Sequence, residues 1–139
     1  LISTKELQLP FYIKDILNAS NSSFVEVESL EKAMSELDVL YMTRIQKERF
    51  SSEEEYKSQK DVYILDKPKL VKAKKDLVIL HPLPRVNEID VKVDDDPRAC
   101  YFRQALNGKY VRMALILTLL GLDTAVNPSL AHVLDSLDA

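Results

Sequence analysis

Two stretches of sequence decide the fold of this chain: DVLYMTRIQKER (38–49) and LVILHPLPR (77–85). Each opens with a short run of apolar and β-branched residues, which is typical of a strand buried on both faces of a parallel sheet. Each then continues into a polar loop. Ligands of an open parallel sheet bind beyond the carboxyl ends of its strands, so the pattern predicts that the two loops face one small anionic molecule.

Strand and helix patterns alternate along the rest of the chain. Further strands are predicted at 24–27 and 62–64. Helices are predicted over 10–19, from a cap at Ser29 to 37, from a capping box of Ser51 and Glu54 to 59, and over 66–75, 98–106 and 110–120. This order predicts a three-layer, Rossmann-like α/β domain with a mostly parallel sheet, helices on both faces and C-terminal helices.

The composition is typical of one soluble domain. With 139 residues, 46% of them hydrophobic, the chain can bury a core, which we expect within 1–122, followed by a weakly patterned tail over 123–139. A net charge of −3 favours neither nucleic acid nor an anionic membrane as a partner. The lone cysteine, Cys100, excludes an internal disulfide and a cysteine-based zinc site. It favours a reducing compartment, so we expect a cytoplasmic protein.

The loop after the first strand contains the best candidates for binding an anion. Glycine occurs only at Gly108 and Gly121, so no glycine-rich loop is available to cradle a phosphate. Side chains must bind the anion instead. The rigid fork of Arg44 matches a carboxylate, and Gln46 can point the same way from an extended segment. The alternative interpretation is a solvated basic stretch whose charges pair with Glu48 and the acidic residues that follow.

The second loop has a different chemistry because its two prolines, Pro82 and Pro84, lack amide donors while their carbonyls can still accept. Such a loop suits an ammonium or amide ligand. His81 is either a proton carrier or, as is commoner at a strand end, a structural residue held by hydrogen bonds. The acidic run 94–96 lacks the spacing of a calcium loop, so we predict an acidic turn at a helix start and no metal site.

At these residues the chain resembles the carboxyl-terminal, aspartate-binding domain of the aspartate carbamoyltransferases. The resemblance runs from residue 1 to about 122. It is carried, in order, by DVLYMTRIQKER (38–49), HPLPRV (81–86) and YFRQ (101–104) with Asn107-Gly108. Ornithine carbamoyltransferases have a cysteine where Pro82 stands and a Ser-Met-Gly motif, neither of which is present here.

The resemblance implies transfer of a carbamoyl group from carbamoyl phosphate to L-aspartate in pyrimidine synthesis, with no cofactor and no metal. By the same resemblance, Arg44 and Gln46 hold the aspartate carboxylates. The backbone carbonyls of Pro82 and Leu83 receive the carbamoyl amide and the aspartate amine.

Other matching residues support the site. Glu48 is expected to brace Arg44, and Arg49 to pair with the other domain when the enzyme closes. The bond before Pro84 is expected to be cis, and His81 belongs to the same supporting set. Asn87 stands where the family often has aspartate.

The resemblance assigns no catalytic residue to this chain. The phosphate-binding Ser-Thr-Arg-Thr loop belongs to the amino-terminal carbamoyl-phosphate domain, and a serine and a lysine come from the neighbouring subunit of a homotrimer. Regulatory chains are left open. Because Leu1-Ile2-Ser3 reads like the end of a strand, we expect the carboxyl part of a longer polypeptide, inactive in isolation. The alternatives are a non-catalytic, carbamoyltransferase-like interaction or regulatory module, and a bare α/β interaction domain.

Overall fold

The computed structural model describes residues 1–122, except the side chain of Arg49. The predicted tail over 123–139 and the predicted contact of Arg49 therefore lie outside the described residues. The chain divides into two compact units, Leu1–Tyr101 and Phe102–Ala139, and we describe each by itself.

The centre of the first unit is the predicted pair of parallel strands. β1 (Val39–Tyr41) and β2 (Val78–Leu80) pair in parallel, with Leu40 opposite Ile79. Isolated parallel bridges join Ile2 to Val27, Leu65 to Ile89, and Ile79 to Ala99. The parallel α/β arrangement predicted from the alternation of elements is thus confirmed.

Two of the predicted strands do not form as such. At 24–27 only Val27 pairs, and at 62–64 the pairing moves to the next residue, Leu65. The backbone N–H of Leu65 donates to the carbonyl of Glu88, and its carbonyl accepts from Asp90. A strand needs a partner along its whole length, and in both places the neighbouring segment supplies a partner for a single residue pair.

Short helices connect these strands. They are α1 (Phe11–Ala19), α2 (Leu30–Ala33), α3 (Glu53–Gln59) and α4 (Lys67–Leu70), with 3₁₀ turns at Lys5–Leu7, Lys47–Arg49 and Val91–Val93. The side chain of Ser29 caps α2 as predicted, accepting from the Lys32 amide. α2 and α4 are shorter than predicted. At the end of α4 the Arg98 guanidinium donates to the carbonyls of Leu70 and Lys74, which satisfies acceptors that a longer helix would use.

The start of α3 differs from the prediction by one residue. Ser52, rather than Ser51, is the cap, and its hydroxyl accepts from the Glu55 amide. The carboxylate of Glu55 accepts in turn from the Ser51 amide. Because consecutive serines and consecutive glutamates fit the same motif in two registers, the sequence alone did not separate them.

The core of the first unit lies around the two strands. It is formed by completely or almost completely buried side chains from β1, β2, α2, α4 and the segments beside them: Leu30, Met34, Leu40, Met42, Leu65, Leu70, Leu77, Ile79, Ile89, Val93 and Tyr101. Burying an aliphatic side chain of this size stabilises a fold by about 1.5–3 kcal/mol. The core therefore fixes the position of the two strands that precede the polar loops.

The end of the described chain is one helix instead of the two predicted. α5 (Tyr101–Leu119) passes through Asn107 and Gly108 without a break. A glycine inside a helix costs about 1 kcal/mol, which the hydrogen bonds propagating from the segments on both sides outweigh. Gly121, with a φ of 66°, follows the helix end as predicted. None of the helices in residues 1–122 has the length and apolar character needed to cross a bilayer.

Candidate substrate-binding site

The two polar loops leave the same edge of the sheet. β1 and β2 are parallel and in register, so residues 43–46 and 81–85 both follow carboxyl ends of neighbouring strands. The Met42 amide donates to the Leu80 carbonyl at 2.9 Å and continues the pairing to the base of both loops. Both loops therefore lie at the sheet edge at which open parallel sheets bind small molecules.

Arg44 stands in the first loop with its guanidinium on Glu48. Its Nη2 donates to one Glu48 carboxylate oxygen at 2.9 Å and its Nη1 to the other at 3.4 Å. The hydrogen bonds and charge of Glu48 raise the pKa of Arg44 above its usual value. The side chain of Arg44 is 38% exposed, so its fork is held in place yet accessible to a dissolved carboxylate. This pairing is common to both sequence interpretations, since each placed Glu48 beside Arg44.

Gln46 and Arg44 line one cavity of about 660 Å³ below the first loop. Its walls are mainly apolar and include Leu40, Met42 and Phe50. Residues of the second loop do not line it in the described part of the chain. The structure therefore brings Arg44 and Gln46 together, and it relates Pro82 and Leu83 to them through the common sheet edge rather than through a shared cavity.

The second loop is built around a buried histidine. The side chain of His81 is fully buried, and the Leu83 amide donates to its Nδ1 at 2.9 Å. The Leu83–Pro84 bond is cis, as predicted, and Leu83 has a φ of 48°. A left-handed backbone is unfavourable for a residue with a side chain, so the surroundings must hold Leu83 there. The arrangement supports the structural interpretation of His81 over that of a proton carrier, because solvent does not reach the ring.

Glu88 is a buried residue beside the second loop that the sequence reasoning missed. Glu88 is only 5% exposed, and its Oε1 lies 2.7 Å from His81 Nε2. Its Oε2 accepts from the amides of Val86 and Asn87, each at 3.1 Å. Burial raises the pKa of the Glu88 carboxyl, but the backbone N–H donors and His81 outweigh it, and the pKa lies below its usual value. The only hint of this burial in the sequence was the position of the Glu88 carboxylate directly before the apolar Ile89.

A second cluster anchors the loop at Arg85. Its guanidinium donates to both oxygens of Asp94, with Nη2 at 2.6 Å, and to the Tyr101 hydroxyl at 3.2 Å. The Tyr101 hydroxyl also donates to Asp94. Burial and the Asp94 carboxylate raise the pKa of Tyr101 to about 12. These contacts tie the loop to the core, in which Tyr101 is completely buried.

The acidic run therefore has another role than the one predicted. Asp94 binds Arg85, and Asp96 binds Arg98, so the run pairs with arginines instead of opening a helix. The predicted acidic turn at a helix start is wrong, because α5 begins later, at Tyr101. No cluster in residues 1–122 has the ligands for a metal ion. Asn87 donates to the Asp61 carboxylate and links the second loop to the segment after α3.

The fold and the site define the class of this protein as a Rossmann-like α/β domain that presents polar loops after adjacent parallel strands. A comparison of the sequence with models of known protein families identifies the family to which this domain belongs. The family described as aspartate/ornithine carbamoyltransferase, Asp/Orn binding domain, matches residues 3–119. The chain belongs to this family.

Several relatives are similar over most of the chain. The aspartate carbamoyltransferase catalytic subunit of Clostridium novyi is 60% identical over 123 residues, which are 88% of this chain and 40% of the relative. That of Clostridium kluyveri is 56% identical over 122 residues, with the same coverage of both chains. The chain thus spans about 40% of the length of these relatives.

Solved structures agree with this assignment. The catalytic subunit of M. jannaschii aspartate transcarbamoylase superimposes with a TM-score of 0.75 at 48% identity, covering 86% of this chain and 40% of that one. The Trypanosoma cruzi aspartate transcarbamoylase in complex with aspartate and phosphate gives 0.70 at 34% identity, covering 84% and 36%. The Rossmann-like α/β fold predicted from the sequence is confirmed.

Proposed function

We propose that this chain is the aspartate-binding part of an aspartate carbamoyltransferase. The whole enzyme transfers the carbamoyl group of carbamoyl phosphate to the amine of L-aspartate, giving N-carbamoyl-L-aspartate and phosphate for pyrimidine synthesis. The observation that carries the proposal is the accessible fork of Arg44, held by Glu48 on the loop after β1, beside the second loop at the same sheet edge.

The proposed roles follow from the chemistry of each loop. Arg44 forms charge-assisted hydrogen bonds with an aspartate carboxylate, and Gln46 adds an amide donor. In the second loop the carbonyls of Pro82 and Leu83 accept from the carbamoyl amide and the attacking amine. Holding amine and carbamoyl carbon in one geometry replaces a bimolecular encounter by a positioned one.

The chemical step itself needs groups beyond this set. The amine attacks the carbamoyl carbon, negative charge develops on the carbonyl oxygen, and phosphate leaves as the C–O bond breaks. Donors to that oxygen and to the phosphate stabilise the transition state. We propose that a carbamoyl-phosphate domain and a neighbouring subunit of a cytoplasmic homotrimer supply them, and that Arg49 takes part in domain closure.

A chimera tests this proposal. The present chain replaces the matching 40% of the Clostridium novyi catalytic subunit, and the formation of carbamoyl aspartate is measured. We expect a saturable dependence on aspartate in the chimera and no product from the isolated chain. A folded chimera that binds aspartate without forming product would favour a non-catalytic module. A folded chimera that neither binds aspartate nor reacts would refute the proposal.

A further inference from the structure

The loop 81–88 is closed on itself by the side chains at its two ends. His81 Nδ1 accepts from the Leu83 amide, and His81 Nε2 meets Glu88 Oε1. The other oxygen of Glu88 accepts from the amides of Val86 and Asn87. These hydrogen bonds connect the start of the loop to its middle and its end, and each of them is buried or partly buried.

The contacts of the imidazole determine its protonation. Because Nδ1 accepts an N–H, it carries no proton, so the single ring proton is on Nε2 and is donated to Glu88. A second proton on Nδ1 would face the Leu83 N–H. His81 is therefore neutral, and it connects a buried carboxylate to one particular backbone amide.

That amide belongs to the strained residue of the loop. Leu83 has a φ of 48°, a left-handed conformation that is unfavourable for a residue with a Cβ. The hydrogen bond to His81 opposes relaxation of this residue, and its side chain packs against the core. The direction of the carbonyl groups around Leu83 thus depends on the imidazole.

We propose that His81 is a positioning residue, and that Glu88, by accepting its Nε2 proton, holds the neutral ring so that it aims the carbonyls of Pro82 and Leu83 at the substrates. This role rests on the proposed function. It assigns Glu88 to the site and gives His81 a task that requires no proton transfer.

Two substitutions separate the contact of the ring with the Leu83 amide from its contact with Glu88. In His81→Asn the side-chain oxygen takes the place of Nδ1 and still accepts from Leu83, but the contact with Glu88 is lost. In His81→Gln the side-chain amide reaches the place of Nε2 and still donates to Glu88, but the Leu83 amide loses its acceptor. The other histidine of the chain, His132, gives the control variant His132→Asn.

Stability and activity should rank these variants in opposite orders. His81→Asn should lower the Tm of the chimera more, because the buried carboxylate of Glu88 loses a donor, whereas the Leu83 amide is only partly buried. His81→Gln should lower kcat more, by about tenfold to a hundredfold, since misdirected carbonyls misplace the reacting groups. The KM for aspartate should change by a smaller factor than kcat, because Arg44 and Gln46, which bind the aspartate carboxylates, are untouched and only the carbonyl contact to its amine is weakened. His132→Asn should leave both properties unchanged.

The tautomer is measured independently of activity. In ¹⁵N-histidine spectra of the isolated chain at pH 7, assigned with the His81 variants, we expect a protonated Nε2 and an unprotonated Nδ1 at His81. Solid-state spectra give the same information if the chain associates. An imidazolium or the Nδ1–H tautomer would overturn the proposal. So would an active chimera in which His81→Gln keeps the full kcat, or in which kcat simply follows Tm. An inactive parent chimera would refute the proposed function instead, while the tautomer would still be tested.

Discussion

Asp94→Asn is the perturbation that tests most directly how the second loop is anchored. The carboxylate of Asp94 accepts two donors of Arg85 and the Tyr101 hydroxyl. An asparagine keeps the shape but turns one acceptor into an N–H₂ group that faces the guanidinium. The side chains of Arg85 and Asp94 are 15% and 24% exposed, so the pair lies between a surface pair and a buried one.

The magnitude follows from that intermediate burial. Exposed pairs contribute about 0–1 kcal/mol, whereas removing one partner of a buried pair costs about 3–5 kcal/mol. We expect Asp94→Asn to lower the free energy of unfolding by about 2–3 kcal/mol at pH 7. The control is Asp95→Asn, which removes the same charge from the exposed neighbouring position and should change stability by less than about 0.5 kcal/mol.

The pH dependence gives the prediction a sign. Arg85 holds the pKa of Asp94 below its usual value of 3.8, so the carboxylate stabilises the fold at every pH above that value. The stabilisation is lost as the pH falls through the lowered pKa. The difference between the parent chain and Asp94→Asn should therefore be complete at pH 5–7 and shrink below about pH 4.

The assay is urea unfolding of the isolated chain followed by far-ultraviolet circular dichroism at pH 7, 5 and 3. Equal midpoints for Asp94→Asn and Asp95→Asn at pH 7 would refute the reasoning. A difference that persists undiminished at the lowest pH would also contradict it, because the ionised carboxylate would then not be the source of the stability.

Three further predictions concern the site and its supports. In the chimera, Arg44→Gln should raise the KM for aspartate about 100-fold and leave the KM for carbamoyl phosphate nearly unchanged. The control Lys47→Gln removes the same charge and should change either KM by less than about threefold. Equal effects of the two substitutions in steady-state kinetics would remove Arg44 from the site. Ser52→Ala should destabilise the isolated chain by about 1 kcal/mol in urea titrations and Ser51→Ala by much less, an order that reverses if the cap is Ser51. Leu83→Val should cost about 1–2 kcal/mol more than Leu83→Met, since a β-branched residue fits a left-handed backbone poorly; similar unfolding midpoints would show that the backbone there relaxes freely.

Elements whose signals lie within a few residues were predictable. The apolar runs before the two loops predicted β1, β2 and their parallel pairing, and the apolar spacing of α1 predicted its bounds to within one residue. The cap at Ser29 was equally clear. Such signals depend on the periodicity of side chains and on hydrogen bonds between near neighbours, both of which can be seen in the sequence itself.

Competition between local signals was not predictable in the same way. Asn107-Gly108 is a good helix end in isolation, yet α5 continues through it because helix extends from both sides. The strand pattern at 24–27 yielded one bridge, since a strand forms only where a partner runs beside it. In both cases the outcome depended on the flanking or neighbouring chain rather than on the motif.

The site divides along the same line. Sequence by itself determined the fold class, the family resemblance and the two loops that carry Arg44, Gln46, Pro82 and Leu83. Only the tertiary structure decided which atoms His81 contacts, that Glu88 is its partner, and that Arg85 is held by Asp94 and Tyr101. Periodicity reports which side chains share a face, whereas the partner of a buried polar group depends on how distant segments pack, and that packing exists only in the folded chain.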